Sequence, residues 1–275
     1  MRPGAVYSAF VGLSARTTVP RFLRSAAYRA FAKVVGADLS EAEQELTSYR
    51  TFGEMFARRL QPGRRTVDEA PRAIIAPCDG RVAAAGDISD GALIQAKGRE
   101  YTVGELVADD ALAASLRDGR FFTIYLSPRD YHRVHAPVEG VISGYHYLPG
   151  TLWPVSDRFA RRVDRLLARN ERAVLTLQTA VGPVVVVMVG AAGVGNLWLS
   201  LDNRETRTWR QTFGWAEPRR VELPPTHLQR GDELGAFYLG STVVVLLPKR
   251  ATLDARLQEG ATLQMGQAVA ELGAA

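Results

Sequence analysis

From Pro62-Gly63 onward the chain is cut into short β-rich runs by Gly, Pro and Asp, and that texture limits the folds open to it. The runs fall at 73–76, 81–85, 92–96, 121–126, 140–147, 173–179, 183–189, 197–201, 234–239 and 242–247. Strands this closely spaced, with turn residues between them, indicate antiparallel sheets in a sandwich or a partly closed barrel. Helical patterns interrupt them at 103–116 and 159–168. Ahead of the strands, residues 5–35 read as helix. Leu23, Ala27, Phe31 and Val34 share one face, while Arg21, Ser25, Arg29 and Lys33 share another. Pro20 suits the start of a helix and Gly36 its end. Shorter helices are expected at 40–46 and 51–60. The expected class is therefore α+β: a helical region over 1–62, then a β-rich domain over 63–275.

With 275 residues, 47% of them hydrophobic, the chain can bury a sizeable core. Its net charge of +5 suits an anionic membrane or a nucleic acid without choosing between them. The distribution says more, because the residues before Asp38 carry Arg2, Arg16, Arg21, Arg24, Arg29 and Lys33 and no acid. A basic amphipathic helix of this kind can lie in a membrane interface or pack on its own domain. One cysteine, Cys78, excludes an internal disulfide and a cysteine-rich zinc site, and fits a reducing compartment. No run approaches the roughly 20 apolar residues of a membrane span. The start, Met-Arg-Pro-Gly, lacks the pattern of a secretory signal, so the bulk is expected in the cytoplasm.

Three segments hold candidate chemistry. Pro77-Cys78-Asp79-Gly80-Arg81 reads first as an Asp-Gly turn. The block from Ser127 to Pro137 holds His132 and His135, two of the four histidines. Pro128 and Pro137 leave little room for a helix that would bring them together on a metal, and further ligands are scarce, so no metal site is expected. In an extended chain residues three apart face opposite ways, which gives the two rings separate roles. Leu239-Gly240-Ser241-Thr242 reads either as a hairpin or as a reactive pair. Glycine leaves its carbonyl open to attack, and a serine hydroxyl becomes nucleophilic when an oriented neutral histidine takes its proton. Asp79, His135 and Ser241 supply those residue types.

Taken in order, these segments resemble the bacterial, membrane-associated phosphatidylserine decarboxylases. The resemblance runs from about Thr47 to Gly266. It rests on Ser48-Tyr49-Arg50-Thr51-Phe52 with Phe56-Ala57-Arg58, the turn at 77–80, Gln95-Ala96-Lys97-Gly98 and the block at 131–135. Leu148-Pro149-Gly150, Ala168-Arg169-Asn170-Glu171-Arg172 and Leu239-Gly240-Ser241-Thr242 complete it. It implies a self-cleavage triad of Asp79, His135 and Ser241, with scission between Gly240 and Ser241. Ser241 would become a covalent pyruvoyl cofactor that forms a Schiff base with phosphatidylserine and releases carbon dioxide and phosphatidylethanolamine. His132 matches a residue of the decarboxylation step, as proton donor. Arg169 and Arg172 are candidates to hold the phosphodiester.

The resemblance further implies a β chain of residues 1–240 and an α chain of residues 241–275, which form a heterodimer whose further dimerisation stays open. Partners would be the lipid and an anionic membrane surface rather than a nucleic acid. Placement would be peripheral on the cytoplasmic side of the cell membrane, through the 1–62 region. Two departures stand out: Cys78 replaces an alanine, and Trp153-Pro154-Val155-Ser156 replaces the family's Phe-Ser-Val-Asn in the presumed substrate loop. A serine hydrolase is disfavoured because Ser241 lacks a Gly-x-Ser-x-Gly elbow. A basic binding module without catalysis would leave Asp79, His135 and Ser241 without a purpose.

Overall fold

The computed structural model describes residues 17–96, 99–191, 197–206, 216–238 and 241–274. Its helices are α1 (Arg21–Val35), α2 (Phe52–Phe56), α3 (Val103–Val107), α4 (Asp110–Ser115), α5 (Asp157–Ala160) and α6 (Leu166–Arg169). The strands begin with β1 (Ala73–Ile75), β2 (Gly80–Asp87), β3 (Ala92–Ala96), β4 (Arg99–Thr102), β5 (Arg120–Leu126) and β6 (Arg133–His135). There follow β7 (Gly140–Leu148), β8 (Arg172–Thr179), β9 (Gly182–Gly190), β10 (Leu197–Leu199), β11 (Arg204–Glu205) and β12 (Arg219–Leu228). The last are β13 (Glu233–Phe237), β14 (Ser241–Leu247), β15 (Thr252–Leu253), β16 (Thr262–Leu263) and β17 (Ala268–Glu271). The class is α+β, mostly antiparallel sheet, with no closed barrel among the described residues.

One eight-stranded antiparallel sheet, in the order β12-β7-β8-β9-β14-β5-β2-β16, organises the molecule. Its odd-numbered β14 residues Val243, Val245 and Leu247 join Val186 and Met188 of β9 in a core shared with the smaller sheet β11-β10-β13-β6. Val244 and Leu246 face the other way, onto the β3–β4 hairpin and residues of α3 and α6. Buried on both faces, β14 reads as an unbroken apolar run, Val243 to Leu247, instead of an alternating one. At the sheet edge, β12 escapes the sequence pattern because Pro224 and Pro225 look like breakers. An edge strand tolerates them, and the pairing with β7 shifts register between Glu222 and Thr226.

The helices are shorter than the sequence pattern predicts. Residues 40–46 form no helix: Glu43 N–H donates to Arg59 O and Gln61 N–H to Glu41 O, so pairing with the 59–61 segment wins. The 103–116 pattern breaks at Ala108 (φ 51°), after which Asp109 caps α4. The 159–168 pattern breaks at Arg165 (φ 52°). Of the 5–35 pattern, residues 5–16 lie outside the described residues, and α1 starts after Pro20 and ends on Gly36 in the left-handed conformation. Its buried residues are Tyr28 and Ala32, with Phe31 packed beside them. Leu23 and Val34, from the apolar face of the sequence pattern, are exposed together with Phe22. Among the described residues no helix is long and apolar enough to cross a membrane.

Candidate active site

Ser241 opens β14, in register with Gly190 of β9 on one side and Leu126 of β5 on the other. Arg81 pairs with Tyr125 and Arg172 with Val189, so one row across the sheet runs Glu171, Gly190, Ser241, Leu126, Gly80. Directly opposed residues of an antiparallel pair share a face. Ser241 thus faces the smaller sheet, the side that carries β6 and its histidine. Its side chain is fully buried, and its hydroxyl has no hydrogen-bond partner among the described residues. A buried hydroxyl without a partner is costly, and such a group calls for a functional reason. Gly240 lies outside the described residues, as do Leu239 and the Lys97-Gly98 pair.

Gly80 is a strand residue at φ 154°, and the Asp79-Gly80 pair is the entry to β2 instead of a reversing turn. A Cβ there would sit 2.6 Å from Ile124 Cγ2, so only glycine lets β2 close on β5. Cys78 beside it is fully buried, and burial pushes its thiol well above the ordinary value. The Asp79 carboxylate accepts from Arg65 Nε (2.9 and 3.1 Å), from Arg65 Nη2 (2.5 Å) and from the backbone N–H of Met265 (2.8 Å). Arg65 also donates to Glu41 (3.2 and 3.1 Å), tying the helical region to the site.

His135 ends β6, and its backbone N–H donates to Pro77 O (2.8 Å). Its Nδ1 lies 2.7 Å from Gly231 O. A carbonyl only accepts, so the proton is on Nδ1 and the lone pair on Nε2. Tyr131 donates its hydroxyl to that Nε2 (3.1 Å). Burial lowers the His135 pKa against the opposing pull of the Gly231 bond. His132 is fully enclosed, with its ring 4.1 Å from that of Phe56. Its Nδ1–H donates to Asp130 O (2.8 Å), and its Nε2 has no partner among the described residues. Burial, assisted by Arg58, depresses its pKa to about 3. The peptide N–H of Phe237 donates to His132 O (2.9 Å), which anchors the chain four residues before Ser241. The two rings are thus bonded differently, both through Nδ1 to a backbone carbonyl but only His135 through Nε2 to a described side chain.

The sheet register sets the start of β2, just after Asp79, in the row of Ser241, and the Pro77 carbonyl ties the His135 backbone to the segment before it, yet among the described residues no hydrogen bond joins Asp79 to His135 or His135 to Ser241. The Gly231 carbonyl takes the Nδ1 proton that a triad carboxylate would hold. Arg169 is exposed at the end of α6. Arg172 needs a correction: it shares the face of Val174, and its guanidinium donates to Leu106 O (2.6 Å), Asn170 O (2.9 Å) and Glu105 O (2.9 Å). With its donors on backbone carbonyls on the side away from Ser241, it buttresses the fold and does not face a headgroup. Burial lowers its pKa to about 10.

Asn170 has no role that the sequence alone would assign. It accepts from Trp153 N–H (2.9 Å) and Thr151 Oγ1 (3.0 Å), and donates to Trp153 O and Gly190 O (both 2.9 Å). It therefore clamps the presumed substrate loop onto the strand beside Ser241. Tyr131, Gly231 and Arg65 likewise escape sequence reasoning, since neither a carbonyl nor a tether has a motif.

The sequence pattern of the phosphatidylserine decarboxylase family matches residues 52–271. The chain belongs to the phosphatidylserine decarboxylase family. A phosphatidylserine decarboxylase proenzyme of Myxococcus xanthus is 42% identical over 97% of the chain and 94% of its own length. One from Anaeromyxobacter is 43% identical over 96% and 93%, and one from Psychrobacter arcticus 42% over 88% and 86%. Membership makes the chain an enzyme of the decarboxylase class, and the relatives' name marks them as precursors.

Proposed function

We propose that this chain is a precursor that breaks its own Gly240–Ser241 bond and then converts phosphatidylserine to phosphatidylethanolamine and carbon dioxide. The observation that carries the reading is the buried, partnerless hydroxyl of Ser241 at the head of a core strand. In the first stage Ser241 Oγ attacks the carbonyl carbon of Gly240, and the bond to the Ser241 nitrogen breaks to leave an ester. Elimination frees a carboxylate at Gly240, and hydrolysis of the residue left at 241 releases ammonia and leaves a pyruvoyl group. His135 carries the lone pair on Nε2 that would take the serine proton, once Tyr131 releases it. Asp79 acts at a distance in this scheme, holding Arg65 and the 265 turn, next to the Pro77 carbonyl that supports His135.

The site fits such a group, because Gly190 opposite residue 241 has no side chain to fill the space. Its ketone supplies a carbonyl for the headgroup amine and a sink for the electron pair left when carbon dioxide departs. His132 enters neutral with a free Nε2 lone pair, so it must accept a proton before it can hand one to the substrate carbon. Arg169 remains the candidate for the phosphodiester. Residues 1–62 would serve as the membrane-associating region and 63–275 as the catalytic domain. Phe22, Leu23 and Val34 project from α1 near Arg29 and Lys33, as a helix lying on an anionic bilayer requires.

Intact mass under denaturing conditions tests the proposal. The wild-type chain should yield residues 1–240 and a keto-capped 241–275 fragment, and Ser241→Ala should stay whole and inactive. A fully active wild type with the bond unbroken would overturn it.

A further inference from the structure

Among the described residues the buried acids are Asp79 and Glu171. Asp79 is held by Arg65. Glu171 is fully buried, and Oε1 accepts from the Tyr147 hydroxyl at 2.8 Å. It stands in the same row as Ser241, with Gly190 between them. A Cβ built on Gly190 would point to the same face as the Ser241 side chain and lie 3.6 Å from Glu171 Oε2. The Glu171 carboxylate therefore leans over Gly190 toward residue 241, across a space kept open by the missing side chain. Leu152 Cδ2 borders the same spot at 3.7 Å, which puts the clamped 151–153 loop at its rim.

We propose that Glu171 receives the ammonium of the incoming headgroup and removes a proton from it, delivering a neutral amine to residue 241. This rests on the pyruvoyl reading above. An ammonium has no lone pair and cannot attack a carbonyl. One N–H bond breaks, its electron pair stays on nitrogen, and the proton bonds to Glu171 Oε2. Charge and position both suit Glu171 to this step, since a buried carboxylate attracts a cation strongly and lies beside the atom to be attacked. Tyr147 fixes the other oxygen and so the direction of Oε2.

The test uses the matured enzyme and two probes read by the mass of the 241–275 fragment. Glycerophosphoserine with cyanoborohydride presents an ammonium, whereas hydroxylamine is uncharged at neutral pH and needs no base. Glu171→Gln should label with glycerophosphoserine on the order of a hundredfold more slowly than wild type, and with hydroxylamine at the wild-type rate. Glu171→Asp should recover part of the loss. Tyr147→Phe, which keeps the carboxylate but frees its orientation, should slow only the amine probe. Equal slowing of both probes in Tyr147→Phe and Glu171→Gln would mean a structural role and overturn the proposal, as would unchanged amine labelling. Should Glu171→Gln fail to split, Tyr147→Phe and Glu171→Asp decide on the same criteria. Failure of the underlying reading looks different, because wild type would then carry no keto group and neither probe would label it.

Discussion

The two histidines of the 131–135 block sit three residues apart and differ in what holds Nε2: Tyr131 for His135, nothing among the described residues for His132. Both are neutral through burial, which ties stability to pH. The folded pKa of His132, about 3, lies below its ordinary 6.5. Between those values the unfolded chain binds the proton and the folded chain does not. Stability is full above pH 6.5 and falls as pH drops toward 3, with His135 acting in the same direction. The loss from His132 between pH 7 and pH 5 is about 2 kcal/mol. Urea unfolding of the uncleaved Ser241→Ala chain at both pH values should show it, and His132→Asn in that background should shrink it by that amount. Equal losses would contradict a buried neutral ring. Arg65 belongs to the same scale, since its removal strands the Asp79 carboxylate in the interior. Arg65→Ala should cost about 3 kcal/mol by urea unfolding and slow self-cleavage in intact-mass time courses.

At the scale of elements, β14 is the strand the reaction would sever from its own chain. It is paired along its length with β5 and β9 and buried on both faces, so breaking the bond before it removes no ladder partner. The 241–275 fragment should therefore co-elute with residues 1–240 in native size exclusion and separate only in denaturant. Leu246→Ala, which opens a cavity on the α3–α6 side, should destabilise by about 3 kcal/mol in urea titration. The helical elements illustrate a different lesson. The face shared by Leu23, Ala27, Phe31 and Val34 is real on a helical wheel, yet α1 turns Tyr28 and Ala32 inward, because the Tyr28 hydroxyl bonds to Tyr49 O and Arg24 to Thr47 O.

For the whole molecule, that rotation leaves Phe22, Leu23 and Val34 in solvent beside cationic side chains, on a protein whose substrate is an amphiphile. Replacing Phe22 and Val34 together with Glu should weaken pelleting with anionic vesicles severalfold while leaving self-cleavage intact, because neither residue packs on the core. Unchanged pelleting would assign α1 to a structural role. The tether Glu41–Arg65–Asp79 also joins the helical region to the Ser241 end of the sheet, so the two regions are mechanically continuous.

Local properties were legible before folding: β-branched runs marked β5, β8, β9 and β14, Pro20 and Gly36 bounded α1, and residue type and order singled out Asp79, His132, His135 and Ser241 as candidates. What the chain could not disclose by itself depends on partners distant in sequence. Only packing could make 40–46 a paired turn, spend Arg172 on backbone carbonyls, or aim the proton of His135 at Gly231, 96 positions away. Glu171 is the clearest case: the sequence marks its 168–172 segment but gives Glu171 no role, and only antiparallel register sets it and residue 241 on either side of Gly190 on one face.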